Sequence, residues 1–200
     1  MTKLYLIRHG QTDQGLNRKY CGARDVPLNE TGCRQAAMLV ERFKGCAIDA
    51  VVSSDLKRAV QTAQIVFKDA AIIKRSRFRE MDFGVIEGLG YDEARQEYAD
   101  IYEAWIHSPM TVTLPGGEAF VNFCARVLKG YHELLAEYEN KHIVLVAHGG
   151  PIRAILCDVL KRGMNDFWSI SQDNAALNVI EYHSGEDPKV VVMNDTGHLG

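Results

Sequence analysis

Short apolar segments alternate along the chain with longer segments of helical periodicity. The apolar segments predict strands at residues 3–7, 50–53, 71–73, 142–147, 177–182 and 190–193. Helical periodicity predicts helices at residues 31–44, 91–106 and 118–139, and two more that end near residues 68 and 160. Strands that alternate with helices predict a three-layer α/β/α sandwich, with a mostly parallel central sheet and helices on both faces.

Capping signals and linker composition refine this prediction. Asn29 or Thr31 is expected to cap the helix at residues 31–44, and the polar run Ser53-Ser54-Asp55 is expected to cap the next helix. No internal repeat and no Pro/Gly/Ser-rich linker divides the sequence. We therefore expect a single domain over residues 1–200.

Composition narrows the class of protein. Hydrophobic residues make up 46% of the chain, charged residues 24%, and the net charge is -3, which argues against a general nucleic-acid surface. A few local Arg side chains can still bind a small anion. The five Cys are scattered without C-x-x-C spacing, which is typical of reduced thiols in a cytoplasmic protein. The apolar run before Arg8 is too short for a signal peptide or a membrane span.

Two histidines occupy equivalent positions in the pattern. His9 follows the first predicted strand and precedes Gly10, and His148 follows the fourth and precedes Gly149. Ligands of open α/β sheets bind beyond the carboxyl ends of the strands, so we expect both side chains at one site. Arg8 would be costly to bury unpaired, and an anion at this site would satisfy it.

Further candidates follow the second and third strands. Arg58 is expected in the first turn of a helix, where a cation opposes the helix dipole unless an anion lies nearby. Hydrolysis of a phosphate ester also needs a proton donor for the leaving oxygen. Glu80, Asp82 and Glu87 all qualify by residue type, and the residues alone do not choose among them.

The sequence resembles the histidine phosphatase superfamily, also called the phosphoglycerate-mutase-like family. The Arg8-His9-Gly10 segment resembles the family signature, and later family motifs are matched in order at residues 25–32, 53–63, 79–88, 115–118 and 147–150. The resemblance implies a nucleophilic His9 that forms a phosphohistidine, and Glu80 as general acid and base. It implies that Arg8, Arg58 and His148 hold the phosphoryl oxygens.

The resemblance also implies further contacts with substrate, from Gln11, Asn17 and Gly149. The sequence departs from the family here, because many members carry Asn at the position of Gly15. Cys21 is expected to be a neutral thiol beside the site. No cluster of carboxylates or histidines has the spacing of a metal site, so we expect neither a metal nor another cofactor.

Three functions are compatible with these motifs. The first is a phosphatase for a small phosphate monoester; within the family the chain looks most like the α-ribazole-5′-phosphate phosphatases of cobalamin synthesis. The second is a cofactor-dependent phosphoglycerate mutase, although residues 89–114 hold one Arg and are rich in aromatic and acidic residues. Those aromatic residues could line a pocket or fill the core. The third is a non-catalytic phosphate-binding module. The expected partners are a small phosphate ester and, in a homodimer, a second copy, with neither nucleic acid nor membrane.

Overall fold

The computed structural model describes residues 1–200 and contains one six-stranded sheet. The strands are β1 (Thr2–Arg8), β2 (Ala50–Ser53), β3 (Ile72–Lys74), β4 (His142–Ala147), β5 (Leu177–Tyr182) and β6 (Lys189–Asp195). They lie in the order β3-β2-β4-β1-β5-β6. The first four strands are mutually parallel, and β5 pairs antiparallel with both of its neighbours. The prediction of a mostly parallel sheet is confirmed.

Helices cover both faces of this sheet. They are α1 (Asp13–Leu16), α2 (Glu30–Leu39), α3 (Lys57–Val66), α4 (Tyr91–Glu97), α5 (Ala99–His107), α6 (Phe120–Glu137) and α7 (Gly149–Val159). Successive side chains of a strand point to opposite faces. In β1, Leu4 and Leu6 therefore pack in the core under α6 and α7, while Tyr5 and Ile7 pack in the core under α2 and α3. The three-layer prediction is confirmed.

Two predicted helices differ from the observed ones. The segment 91–106 forms two helices rather than one, because the backbone of Tyr98 leaves the helical region at φ -130° and ψ 38°. The Tyr98 ring packs against the core, a tertiary contact that periodicity does not show. The helix predicted at 31–44 tightens into a 3-10 turn at Val40–Phe43, which buries Phe43 against Tyr5 and Phe67.

The predicted cap of α3 is also wrong. Leu56 occupies the cap position, and no side chain of Ser53-Ser54-Asp55 caps the helix. Instead the N–H of Lys57 donates to Oδ1 of Asp25 at 2.6 Å, so the cap comes from a distant loop. Asn29 does cap α2, accepting the N–H of Gly32 at 2.8 Å. None of the helices combines the length and apolar character that crossing a membrane requires.

Candidate active site

The pairing of β1 with β4 brings the two histidines together. Arg8 lies opposite Ala147 in this parallel pair, and the N–H of His9 donates to the carbonyl of Ala147 at 3.0 Å. His9 and His148 therefore leave the sheet side by side at its carboxyl edge. Their ring centroids lie 5.0 Å apart, as the two His-Gly segments predicted.

The imidazole of His9 is held in one tautomer. Its Nδ1 lies 2.7 Å from the carbonyl oxygen of Gly10, which can only accept, so Nδ1 carries the proton. Its Nε2 accepts from Nε of Arg58 at 3.2 Å and is unprotonated. Burial lowers the pKa of His9 well below its usual 6.5, and the charges of Arg58 and Arg8 lower it further. His9 is therefore neutral at physiological pH, and the lone pair of Nε2 is unprotonated and accepts from Arg58.

Arg58 connects the two histidines and is fully buried. Its Nε also donates to Nδ1 of His148 at 3.2 Å, so one N–H is shared between the two rings. Its two terminal nitrogens donate to the carbonyls of Arg24 and Gly22, each at 2.7 Å. These bonds fix the guanidinium with its Nε edge directed at both imidazoles.

His148 is oriented by Ser54. Its Nε2 lies 2.8 Å from Oγ of Ser54, and its Nδ1 accepts from Arg58. Burial lowers the pKa of His148 well below 6.5, and Arg58 lowers it further. Ser54 follows β2, which pairs with β4, so a residue expected to cap a helix instead orients a histidine of the site.

Arg8 presents an unpaired nitrogen to the same region. Its Nη1 donates to the carbonyl of Gln172. Its Nε is buried and has no hydrogen-bond partner. A buried guanidinium nitrogen without a partner is costly, and an anion bound here would remove that cost. Gln172 carried no sequence signal, because its role depends on a backbone carbonyl.

The structure separates the three candidate carboxylates. Oε1 of Glu80 accepts from Met81 N–H and Oε2 from Gly150 N–H, both at 3.0 Å, which places Glu80 beside α7. A Cβ at Gly150 would lie 2.0 Å from Oε1 of Glu80, so this approach requires glycine. Asp82 accepts the N–H of Gly84 at 2.8 Å. Of the three, only Glu80 lies against the turn that carries His148.

Glu87 has a supporting position that the sequence did not reveal. Its Oε1 accepts from the N–H groups of Ala23 and Phe83 at 2.8 and 3.1 Å. Its Oε2 accepts from those of Gly22 and Arg24 at 3.1 and 3.4 Å. The carbonyls of Gly22 and Arg24 hold Arg58, as described above. Glu87 thereby fixes the loop that orients Arg58.

The remaining predicted residues lie around this group. Gly149 lies against Arg8, because a Cβ at Gly149 would be 3.7 Å from Nε of Arg8. Gln11 accepts from Asn29 Nδ2 at 3.1 Å through its side-chain oxygen. Asn17 is exposed and donates to the carbonyl of Asp13 at 2.8 Å. Contacts of these residues with substrate remain predictions.

Two further expectations concern thiols and metals. Burial raises the pKa of Cys21, which keeps this thiol neutral, as expected. No group of three or more His, Cys, Asp or Glu side chains is arranged to hold a metal ion. The positive charge at the strand ends comes from Arg8 and Arg58.

The aromatic residues of segment 89–114 mainly fill the core. Tyr102 and Trp105 are buried, and the hydroxyl of Tyr102 lies 2.9 Å from that of Tyr20. Tyr20 contacts the rings of Phe83 and Tyr91 as well. Of the two alternatives for these residues, core filling describes Tyr102 and Trp105.

Comparison with known proteins agrees with this geometry. The family description "Histidine phosphatase superfamily (branch 1)" matches residues 4–196. Phosphoserine phosphatase 1 of Hydrogenobacter thermophilus is 33% identical over 203 residues, which cover 100% of this chain and 95% of that protein. The alpha-ribazole phosphatase from Shigella flexneri superposes with a TM-score of 0.91 at 27% identity, covering 97% of this chain and 96% of that one.

A third relative was crystallised with a ligand. A phosphoserine phosphatase mutant from Entamoeba histolytica, in complex with phosphoserine, has a TM-score of 0.87 and 28% identity, covering 100% of both chains. The family match spans both histidines, both arginines and Glu80. This chain belongs to the histidine phosphatase superfamily.

Proposed function

We propose that the residues gathered at the carboxyl ends of β1, β2 and β4 carry out phosphate-ester hydrolysis, with His9 as the nucleophile. The chain is a phosphatase that acts on a small phosphate monoester, and it shares the phosphohistidine mechanism of its family. Assigning that chemistry to individual residues is our proposal. It rests chiefly on one observation: Nε2 of His9 accepts from the Nε of Arg58, and the buried Nε of Arg8, beside Gly149, has no partner.

The first step transfers the phosphoryl group to the enzyme. Nε2 of His9 attacks phosphorus, and the bond from phosphorus to the ester oxygen breaks. Glu80 donates a proton to the departing oxygen, so an alcohol leaves. Neutral His9 is the required form, and its lowered pKa supplies it.

The second step restores the enzyme. Glu80, now a carboxylate, accepts a proton from water while that water attacks phosphorus, and the bond from nitrogen to phosphorus breaks. Inorganic phosphate leaves. Arg8, Arg58 and His148 hold the phosphoryl oxygens in both steps, because phosphoryl transfer depends mainly on positioning and on stabilising charge.

The identity of the ester is a further proposal. α-Ribazole 5′-phosphate, which would place the chain in cobalamin synthesis in the cytoplasm, and phosphoserine are the candidates that the named relatives suggest. Phosphoglycerate mutase is the alternative function. A mutase would need to protect the phosphohistidine from water and to bind a second anionic group with cationic side chains. Residues 89–114 contribute a single Arg for that purpose, and this Arg pairs with Glu103.

Trapping the intermediate tests the proposal. Labelled substrate quenched during turnover should leave an acid-labile phosphoryl group on His9, and a His9→Asn variant should carry none. Label on Cys21 or on a Ser would refute the assignment. The same enzyme, given 3-phosphoglycerate and catalytic 2,3-bisphosphoglycerate, should release phosphate much faster than it forms 2-phosphoglycerate. The reverse ratio would identify a mutase.

A further inference from the structure

Arg153 is a third arginine beside the site, and the proposed reaction does not use it. It lies on α7, just over one turn after His148. Its Nε donates to the carbonyl of Ile170 at 2.8 Å, and its guanidinium lies 5.9 Å from the ring centroids of Phe167 and Trp168. These contacts fix the side chain, and both terminal nitrogens are left without a protein partner.

The free edge of Arg153 points toward the anion site. A Cβ at Gly149 would lie 3.4 Å from Nη1 of Arg153 and 3.7 Å from Nε of Arg8. The two guanidinium groups therefore approach the same glycine. Most of the Arg153 guanidinium is buried, which lowers its pKa, while the negative charge of Glu80 acts in the opposite direction. No carboxylate forms an ion pair with it.

Arg153 also lines a cavity next to Glu80. The cavity has a volume of about 30 Å³, and its wall includes Phe83, Gly150 and Trp168. Because Glu80 donates its proton to the leaving oxygen, the leaving group must lie on the side of the phosphoryl group that faces Glu80. The cavity is therefore where the atoms beyond the ester oxygen would lie.

We infer that Arg153 binds a carboxylate on the leaving group, so that the substrate class is a phosphate monoester of a small carboxylic acid. This inference rests on the proposed function. The planar guanidinium edge matches a carboxylate through two parallel hydrogen bonds. A second phosphate fits less well than a carboxylate, because it is larger and carries up to two negative charges beside Glu80, whereas a carboxylate carries one.

Two pairs of substrates isolate the carboxylate. 3-Phosphoglycerate and glycerol 3-phosphate differ only by a carboxylate in place of a hydroxymethyl group. Phosphoserine and phosphoethanolamine differ only by a carboxylate in place of hydrogen. kcat/KM for each should be measured on the wild type, on Arg153→Met and on Arg153→Lys. Arg162→Met removes one exposed Arg charge just beyond α7 and serves as the matched control.

The expected result is a loss of selectivity rather than of activity. The wild type should favour the acid of each pair by about 10- to 100-fold, the range expected for hydrogen bonds between charged groups. Arg153→Met should remove most of that preference through KM, so that the ratio of kcat/KM between the two members of each pair falls toward one. Arg153→Lys should recover part of the preference. Arg162→Met should keep all of it.

Other outcomes would overturn the inference separately from the proposed function. Equal kcat/KM within each pair for the wild type would show that the site does not select a carboxylate. An equal loss on both members in Arg153→Met would show that Arg153 does not bind one. Neither result touches the role of His9. Absence of phosphate release from all four esters and from nitrophenyl phosphate would instead refute the proposed function.

Discussion

Replacing Glu87 by Gln should lower kcat/KM by about 10- to 100-fold, although Glu87 lies outside the proposed chemistry. The carboxylate accepts four backbone N–H groups, two on each oxygen. Gln keeps one oxygen and turns an amide N–H toward the other two donors. If it retains the shorter pair, to Ala23 and Phe83, the N–H groups of Gly22 and Arg24 lose their acceptor.

The size of the effect follows from what those two residues hold. A hydrogen bond to a charged group contributes about 1.5–3 kcal/mol, and the 3.4 Å bond from Arg24 lies at the weak end of that range. We expect a loss of about 2–4 kcal/mol in the free energy of unfolding. Removing a preorganised donor costs about 10²–10³ in rate, and Gln displaces Arg58 rather than removing it, so a smaller loss is expected.

A double-mutant cycle shows whether Glu87 acts through Arg58. Glu87→Gln should cost little further activity in an Arg58→Ala background, because the side chain it positions is gone. Urea denaturation measures the loss in the free energy of unfolding of Glu87→Gln separately from its loss in activity. Asp82→Asn is the matched control: its Oδ1 accepts from Gly84 alone and has no link to Arg58, so kcat/KM should stay within a few-fold. An equal loss with and without Arg58 would refute the reasoning.

Three further predictions concern the acid, the metal and pH. Glu80→Gln should slow phosphorylation most for esters with poor leaving groups and least for nitrophenyl phosphate; an equal loss in burst kinetics would make Glu80 structural. Exhaustive chelation should leave activity intact, and a loss restored by Mg²⁺ or Zn²⁺ would contradict the arginine-based mechanism. The folded-state pKa values of His9 and His148 lie below 6.5, so below that pH the unfolded chain binds protons that the folded chain does not. The free energy of unfolding should therefore decrease as the pH is lowered, by up to roughly 1.4 kcal/mol per pH unit for each histidine. In urea denaturation between pH 7 and 5.5, His9→Asn should show a smaller decrease than the wild type.

Much of the architecture follows from local pattern. The continuously apolar run Ile143-Val144-Leu145-Val146 could only be a strand buried on both faces, and it is fully buried. The two His-Gly segments predicted a shared site, because the carboxyl ends of parallel strands meet at one edge. The ordered family motifs predicted Arg8, Arg58 and Glu80 as site residues, and their roles in the reaction remain a proposal. All these signals are contained in a few adjacent residues.

The contacts that orient the site depended on the tertiary structure. The order of the strands places β1 beside β4, and this pairing joins residues more than 130 positions apart. The contacts of Gln172 with Arg8, of Ser54 with His148 and of Glu87 with Gly22 also join distant residues, 164, 94 and 65 positions apart. Hydrogen bonds to backbone groups leave no trace in residue type, because every residue carries a carbonyl and nearly every residue an N–H. The sequence by itself determined the candidate side chains for the chemistry, because motifs are carried by residue type, and only the tertiary structure decided which groups hold those side chains in place.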